Sequence, residues 1–236
     1  MTAALEIKDL HAWYGESHIL HGINLSVPQG QVLTLLGRNG AGRTTTLRAI
    51  MGLTGERRGS IKVHGEETIG LATHRIAHLG LGYCPEERGI FASLSTEENL
   101  RLPPPLKSQR GKPMGEAEIY AMFPNLAERR HSQGTRLSGG EQQMLAVARI
   151  LRTGADILLL DEISEGLAPV IVQALARMIV ALKAQGFTIV MVEQNFRFAA
   201  PLADHFIVIE HGEVVESFAA SQLAEKQAVL DELLSV

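Results

Sequence analysis

Three short stretches of the chain hold residues whose types and spacing suit chemistry on an anion. The first is Gly37, Arg38, Asn39, Gly40, Ala41, Gly42, Arg43, Thr44 and Thr45, between the apolar run VLTLLG and the helix-forming TTTLRAIMG. In that setting a glycine-rich turn can aim successive backbone N–H groups at one phosphate, at the positive end of the helix that follows. The usual pattern for such a loop is G-x-x-x-x-G-K-[ST], and it is kept here except that Arg43 stands at the lysine position. A strand-to-helix turn without a ligand reads the same residues, and this motif alone does not separate the two.

The second stretch is ILLLDE, where Asp161 and Glu162 close a run apolar enough to be a buried strand. An acid at that point can hold a Mg²⁺-bound water, and its neighbour can activate an attacking water. Taken alone, a solvated acidic strand end is the simpler account. The third stretch is Leu137 to Gln143, LSGGEQQ, the sharpest signal in the sequence. Ser138 and Glu141 have capping-box spacing, and Gly139 and Gly140 leave the start of the helix open to an anion. A plain helix start needs only Ser138 and Glu141, so the paired glycines point to a second phosphate receptor.

The elements that must position these residues can be read around them. LEIKDLHAWY and HILHGINLSV are β-rich and separated by turn residues, and SIKVHG reads as one arm of a small hairpin. VLTLLG, residues 81–84, DILLLD, FTIVMV and HFIVIE read as strands, with His211 and Gly212 turning into EVVES. Ser95 to Glu98 is a capping box that starts a helix, which Pro103, Pro104 and Pro105 interrupt. KSQRGKPMG is expected to be an exposed connection and the least structured part of the chain. Helices are expected again from Glu116, through 139–153, and from Pro169 to Gln185, with Gly186 after the last of these. Apolar strands alternating with helices argue a mostly parallel sheet covered by helices.

Composition bounds the rest. The chain has 236 residues, 45% hydrophobic and 20% charged, which suits one globular domain and not disorder. A net charge of −4 offers no basic stripe, so no nucleic-acid partner is expected. Cys84, the single cysteine, suits a reducing compartment and reads as a small buried strand residue. The opening MTAALEIKDL has no cationic region followed by an apolar run, so no signal peptide is expected, and no apolar stretch spans a bilayer. None of the nine histidines shows a metal-ligand spacing with Cys, Asp or Glu; His205 and His211 read as structural or solvated, Met191 and Phe187 as core.

Taken together, the three stretches and their order resemble the nucleotide-binding domains of ABC transporters, from about residue 5 to 220. GRNGAGRTT is similar to the Walker A loop, ILLLDE to the Walker B strand and LSGGEQQ to the signature motif. SEGLAP looks like the D-loop, and Tyr14 occupies the place of the aromatic that stacks on adenine, with a core tyrosine as the alternative. CPEERGIF, TEENL, SEGLAP and VEQN most resemble the smaller ATPase of branched-chain amino acid importers.

The resemblance implies an α/β P-loop NTPase fold, RecA-like, with a small N-terminal antiparallel β portion and a helical insertion. It implies one domain over 1–236, with 1–89 and 154–236 as the core and 90–153 as the inserted helices that carry the signature. The cofactors implied are ATP and Mg²⁺. Glu162 would be the general base with Gln194 at the switch position, and Thr44, Asp161 and Glu86 would serve the metal. The loop Gly37–Thr45, Tyr14, and Ser138, Gly139 and Gly140 of an opposing subunit would bind the nucleotide. The implied partners are a second copy or a homologous ATPase, packed head to tail, membrane permeases and, indirectly, a periplasmic or extracellular substrate-binding protein. The chain would then lie in the cytoplasm against the inner face of the cell membrane.

Three positions depart from most of the family: Arg43 for lysine, Glu86 for the Q-loop glutamine and Gln194 for the switch histidine. The importer subfamily often carries the last two. Arginine keeps the charge but is longer and forked, so it favours binding over well-placed catalysis. Two rival readings follow: a regulatory ATP-binding subunit with weak hydrolysis, and an ABC ATPase acting on ribosomes or DNA. The acidic balance argues against the second.

Overall fold

The computed structural model describes residues 3–106 and 110–234. In chain order the elements begin with β1 (Ala3–Tyr14), β2 (Ser17–Pro28), β3 (Val32–Leu36), α1 (Arg43–Ile50), β4 (Arg57–Val63), β5 (Glu66–Glu67), α2 (Thr73–Ala77) and β6 (Leu81–Cys84). Between β6 and the next strand the chain forms α3 (Thr96–Arg101), α4 (Glu116–Met122), α5 (Pro124–Glu128) and α6 (Gly139–Leu151). It then alternates through β7 (Ile157–Asp161), α7 (Pro169–Ala184), β8 (Thr188–Val192), α8 (Phe196–Ala199), β9 (His205–Glu210), β10 (Glu213–Ala219) and α9 (Leu223–Leu234).

Every residue of β3, β7 and β8 is buried, which is why these strands read as unbroken apolar runs. They lie in a six-stranded sheet of order β10-β9-β3-β8-β7-β6. The pairs β3–β8, β3–β9, β6–β7 and β7–β8 are parallel, and β10 returns antiparallel to β9 through the His211–Gly212 turn. Alternate side chains feed two cores. Leu158, Leu160, Ile189 and Met191 meet α6 and α7, while Leu159, Val190 and Val192 face α1 and the antiparallel sheet β2-β1-β4-β5. The fold is thus the expected three-layer α/β arrangement with an antiparallel β portion built from the first strands.

Most local expectations are met: Cys84 and Met191 are buried, and Phe187 packs, half-buried, against the core. Ser95 caps α3 through the box foreseen, its hydroxyl accepting from the Glu98 N–H at 3.2 Å. The described part of the 107–115 connection has no helix or strand and is exposed at Arg110, Lys112 and Pro113, as expected, but it is anchored. Lys107, Ser108 and Gln109 lie outside the described residues, but Met114 is buried and its N–H donates to Leu151 O at 3.0 Å. Gly111 lies so close to Gly154 that a Cβ there would meet the Gly154 carbonyl oxygen at 2.3 Å. Backbone pairing and an apolar anchor hold a segment whose polar composition reads as free loop.

Candidate functional site

The strand order puts the ends of β3, β7 and β8 side by side, so the loops leaving them converge. After β3 the loop 37–42 needs glycine where the chain is tightest. Gly37, at φ 148°, runs so near β9 that a Cβ would meet Ile209 O at 2.2 Å, and Gly42, at φ 109°, leads directly into α1. No side chain caps α1 and no acid sits in its first turn, and its first residues line a polar cavity of about 300 Å³. That cavity is lined by residues 39–45 together with Glu86, Glu162, Glu165 and Gln194.

At its floor, Thr44 Oγ1 donates to Asp161 Oδ1 at 3.0 Å, and the Tyr83 hydroxyl donates to Asp161 Oδ2 at 3.0 Å. Burial raises the Asp161 carboxyl above its ordinary value, and these two hydrogen bonds pull against that rise. Two oxygens in neighbouring positions on an octahedral Mg²⁺ lie about 2.9 Å apart, so the Thr44–Asp161 pair fits a hard divalent ion. Glu86, Glu162 and Glu165 bring carboxylate oxygens within 4.8 Å of one another above it.

Glu162 leaves β7 with φ 47°, a left-handed conformation uncommon for a residue with a side chain, and its N–H donates to Val192 O at 2.9 Å. The turn aims its carboxylate back over the glycine-rich loop. Both oxygens are engaged: Arg43 donates from Nη2 to Oε1 at 2.9 Å, and Gln194 from Nε2 to Oε2 at 2.7 Å. Arg43 is only 4% exposed; the same Nη2 reaches Asn39 Oδ1 at 3.2 Å, and Nη1 reaches the Glu193 carbonyl oxygen at 3.1 Å. Burial and the hydrogen bond with Glu165 push the Glu162 pKa up to about 7, against the pull of Arg43 and Gln194. A carboxyl that titrates there can take a proton near neutral pH.

The structure therefore brings Asn39 to Thr45, Glu86, Asp161, Glu162 and Gln194 into one place. Tyr14 and the Ser138–Gly140 stretch do not line the cavity. Tyr14 is 38% exposed at the end of β1, with the Arg48 guanidinium 5.8 Å from its ring centre, which removes the core-tyrosine alternative. Ser138 caps α6 as expected, accepting from Glu141 N–H at 3.3 Å, and lies exposed on the surface. Gly140 has a packing duty as well, since a Cβ would come within 2.7 Å of Ile171 at the start of α7.

Sequence reasoning passed over Tyr83, and read Ser164 and Glu165 only as part of SEGLAP and Glu193 only as part of VEQN, with no role of their own. Glu193 is buried, and its carboxylate accepts from the Ser164 N–H at 3.1 Å and hydroxyl at 2.7 Å, joining the ends of β7 and β8. The available signal was position: Tyr83 lies within β6, Glu193 directly follows β8, and Ser164 and Glu165 lie in the turn after β7.

The ABC transporter family profile matches residues 20–165. The branched-chain amino acid transport ATP-binding protein BraG of Pseudomonas aeruginosa is 36% identical, covering 98% of this chain and 99% of its own. The probable branched-chain amino acid transport ATP-binding protein LivF of Archaeoglobus fulgidus is 32% identical over 94% of this chain and 95% of its own. Among solved structures, an ATP-binding subunit of an ABC transporter is 27% identical with a TM-score of 0.81, covering 99% of this chain and all of the other.

Proposed function

This chain belongs to the ABC transporter family as an ATP-binding subunit, and from that premise we propose that it hydrolyses Mg-ATP to drive import of branched-chain amino acids or related small amino acids and amides. The full-length similarity to BraG supports the cargo class. The observation that carries the chemistry is Glu162, turned by its left-handed backbone onto the phosphate loop beside the Thr44–Asp161 pair.

In this reading the loop amides of residues 40–45 and the uncapped start of α1 hold the β- and γ-phosphates, and Tyr14 stacks on adenine. Thr44 and Asp161 would hold Mg²⁺, with Glu86 beside them, and the ion would supply charge neutralisation at the phosphates. Glu162 accepts a proton from the attacking water once one of its oxygens is released, and Gln194 orients that water. Arg43 supplies positive charge at the phosphates, and its pairing with Glu162 must loosen before the carboxylate can act.

Ser138, Gly139 and Gly140 lie outside the cavity and serve the nucleotide of a second subunit, packed head to tail. We take 1–89 and 154–236 as the core and 90–153 as the helical insertion. Among the described residues no helix is long and apolar enough to cross a membrane. The chain acts from the inner face of the membrane on permeases, with a substrate-binding protein on the far side. Affinity purification from membranes tests the transport reading: polytopic proteins should co-purify, and recovery of ribosomes or DNA in their place would overturn it.

A further inference from the structure

The sequence shows no metal-ligand spacing among its histidines, yet the β1–β2 hairpin gathers three of them. His11 stands opposite His21 and Trp13 opposite His18. The intervening Leu10, Ala12 and Leu20 are buried on the other face. His11 Nδ1 lies 3.1 Å from His18 Nε2. Behind His11, Asp9 Oδ1 accepts from Nε2 at 3.2 Å, which leaves Nδ1 as the lone-pair nitrogen facing His18. Asp9 is itself held in place: its backbone is left-handed at φ 49°, and its N–H donates to Asn24 Oδ1 at 3.0 Å. The His18 ring is packed 4.1 Å from Trp13, nearly parallel, and 4.0 Å from His21.

We propose that His11 and His18, backed by Asp9 and flanked by His21, bind a late first-row divalent cation of the Zn²⁺ or Cu²⁺ class. Two imidazole nitrogens, each about 2.0–2.1 Å from one ion at an angle between about 90° and 109°, lie roughly 2.9–3.4 Å apart, and the observed separation falls inside that window. Neutral nitrogen donors with positions left for water suit zinc and copper, and not the hard Mg²⁺ of the nucleotide cavity. The ion takes the place of the one proton between the two facing nitrogens, which moves to Nδ1 of the neutral His18 ring. The site ties the two strands together at the tip that presents Tyr14. It stands independently of the nucleotide reading.

Trp13 is the single tryptophan of the chain, so its fluorescence reports this site alone. Full-length protein free of any purification tag is titrated with Cu²⁺, and Zn²⁺ is used as competitor. The proposal predicts saturable quenching at one ion per chain, reversed by Zn²⁺. His11→Ala and His18→Ala should each weaken binding at least ~10-fold, and Asp9→Asn, which removes the orienting carboxylate, by ~10-fold or more. Far-UV circular dichroism identifies any variant that has lost its fold, and His11→Gln provides a second test that keeps a polar side chain at the position. Quenching that does not saturate, or binding of parental affinity in folded His11→Ala or His11→Gln, would reduce the pair to a cross-strand hydrogen bond and overturn the proposal.

Discussion

At Arg43 the chemistry is decided by reach. A guanidinium fork can hold Glu162 and Asn39 from one nitrogen and the Glu193 carbonyl from another; an ammonium is a compact point charge on a shorter arm. Arg43→Lys should therefore free the Glu162 carboxylate and raise single-turnover hydrolysis about tenfold or more, roughly 1.4 kcal/mol of barrier. ATP affinity should change far less, because backbone amides carry most of the ground-state contact. Equal single-turnover rates in the two proteins would show that the site is adapted to arginine. Glu162 also fixes a pH dependence. It must be ionised to accept a proton and titrates at about 7, so kcat/KM should fall as pH drops through about 7. A profile flat from pH 6 to 8 would remove Glu162 from the role of base. The residues of the acidic and glycine-rich motifs were legible from their spacing taken together with the LSGGEQQ stretch, since neither alone excludes an ordinary turn or strand end. The pairing of Arg43 with Glu162 was not, because 119 positions separate them and no local pattern encodes which end of a sheet they share.

Among the elements, the join between β7 and β8 carries a buried acid. Burial pushes Glu193 up to about 7 from an ordinary 4.5, against the hydrogen bonds from Ser164. Between those two values the folded chain holds a proton that the unfolded chain has lost. The contribution of this group to stability is thus fully present below about 4.5 and is lost as pH rises to about 7. Glu193→Gln keeps both contacts to Ser164 without the titration, so denaturant midpoints should decline less between pH 5 and 7 than in the parent. An unchanged slope would place the proton elsewhere. The strands themselves were readable because all of β3, β7 and β8 is buried, and the capped starts of α3 and α6 because capping is local. The anchoring of the 110–115 segment was not legible because it comes from Gly154 and Leu151, which only the fold brings near.

For the whole molecule, one chain places the loop of residues 39–45 and Glu162 in a single cavity, with Asp161 bonded to Thr44 beneath it, while Ser138 stays outside on the surface. The two stretches proposed to receive phosphate do not share a cavity, which is explained if each nucleotide lies between two subunits. The sequence pointed to that arrangement only through family resemblance, since no spacing within a chain encodes a contact between chains. Glu162→Gln removes the base and leaves the phosphate receptors intact, so ATP should be bound and held. Sedimentation velocity of Glu162→Gln with Mg-ATP is the direct test, with the same protein carrying Ser138→Arg as a control. The account predicts a species of twice 25.6 kDa with Mg-ATP that is absent without nucleotide and absent in the Ser138→Arg control, which should still bind ATP as a monomer. Glu162→Gln that binds Mg-ATP yet sediments only as a 25.6 kDa monomer would contradict it.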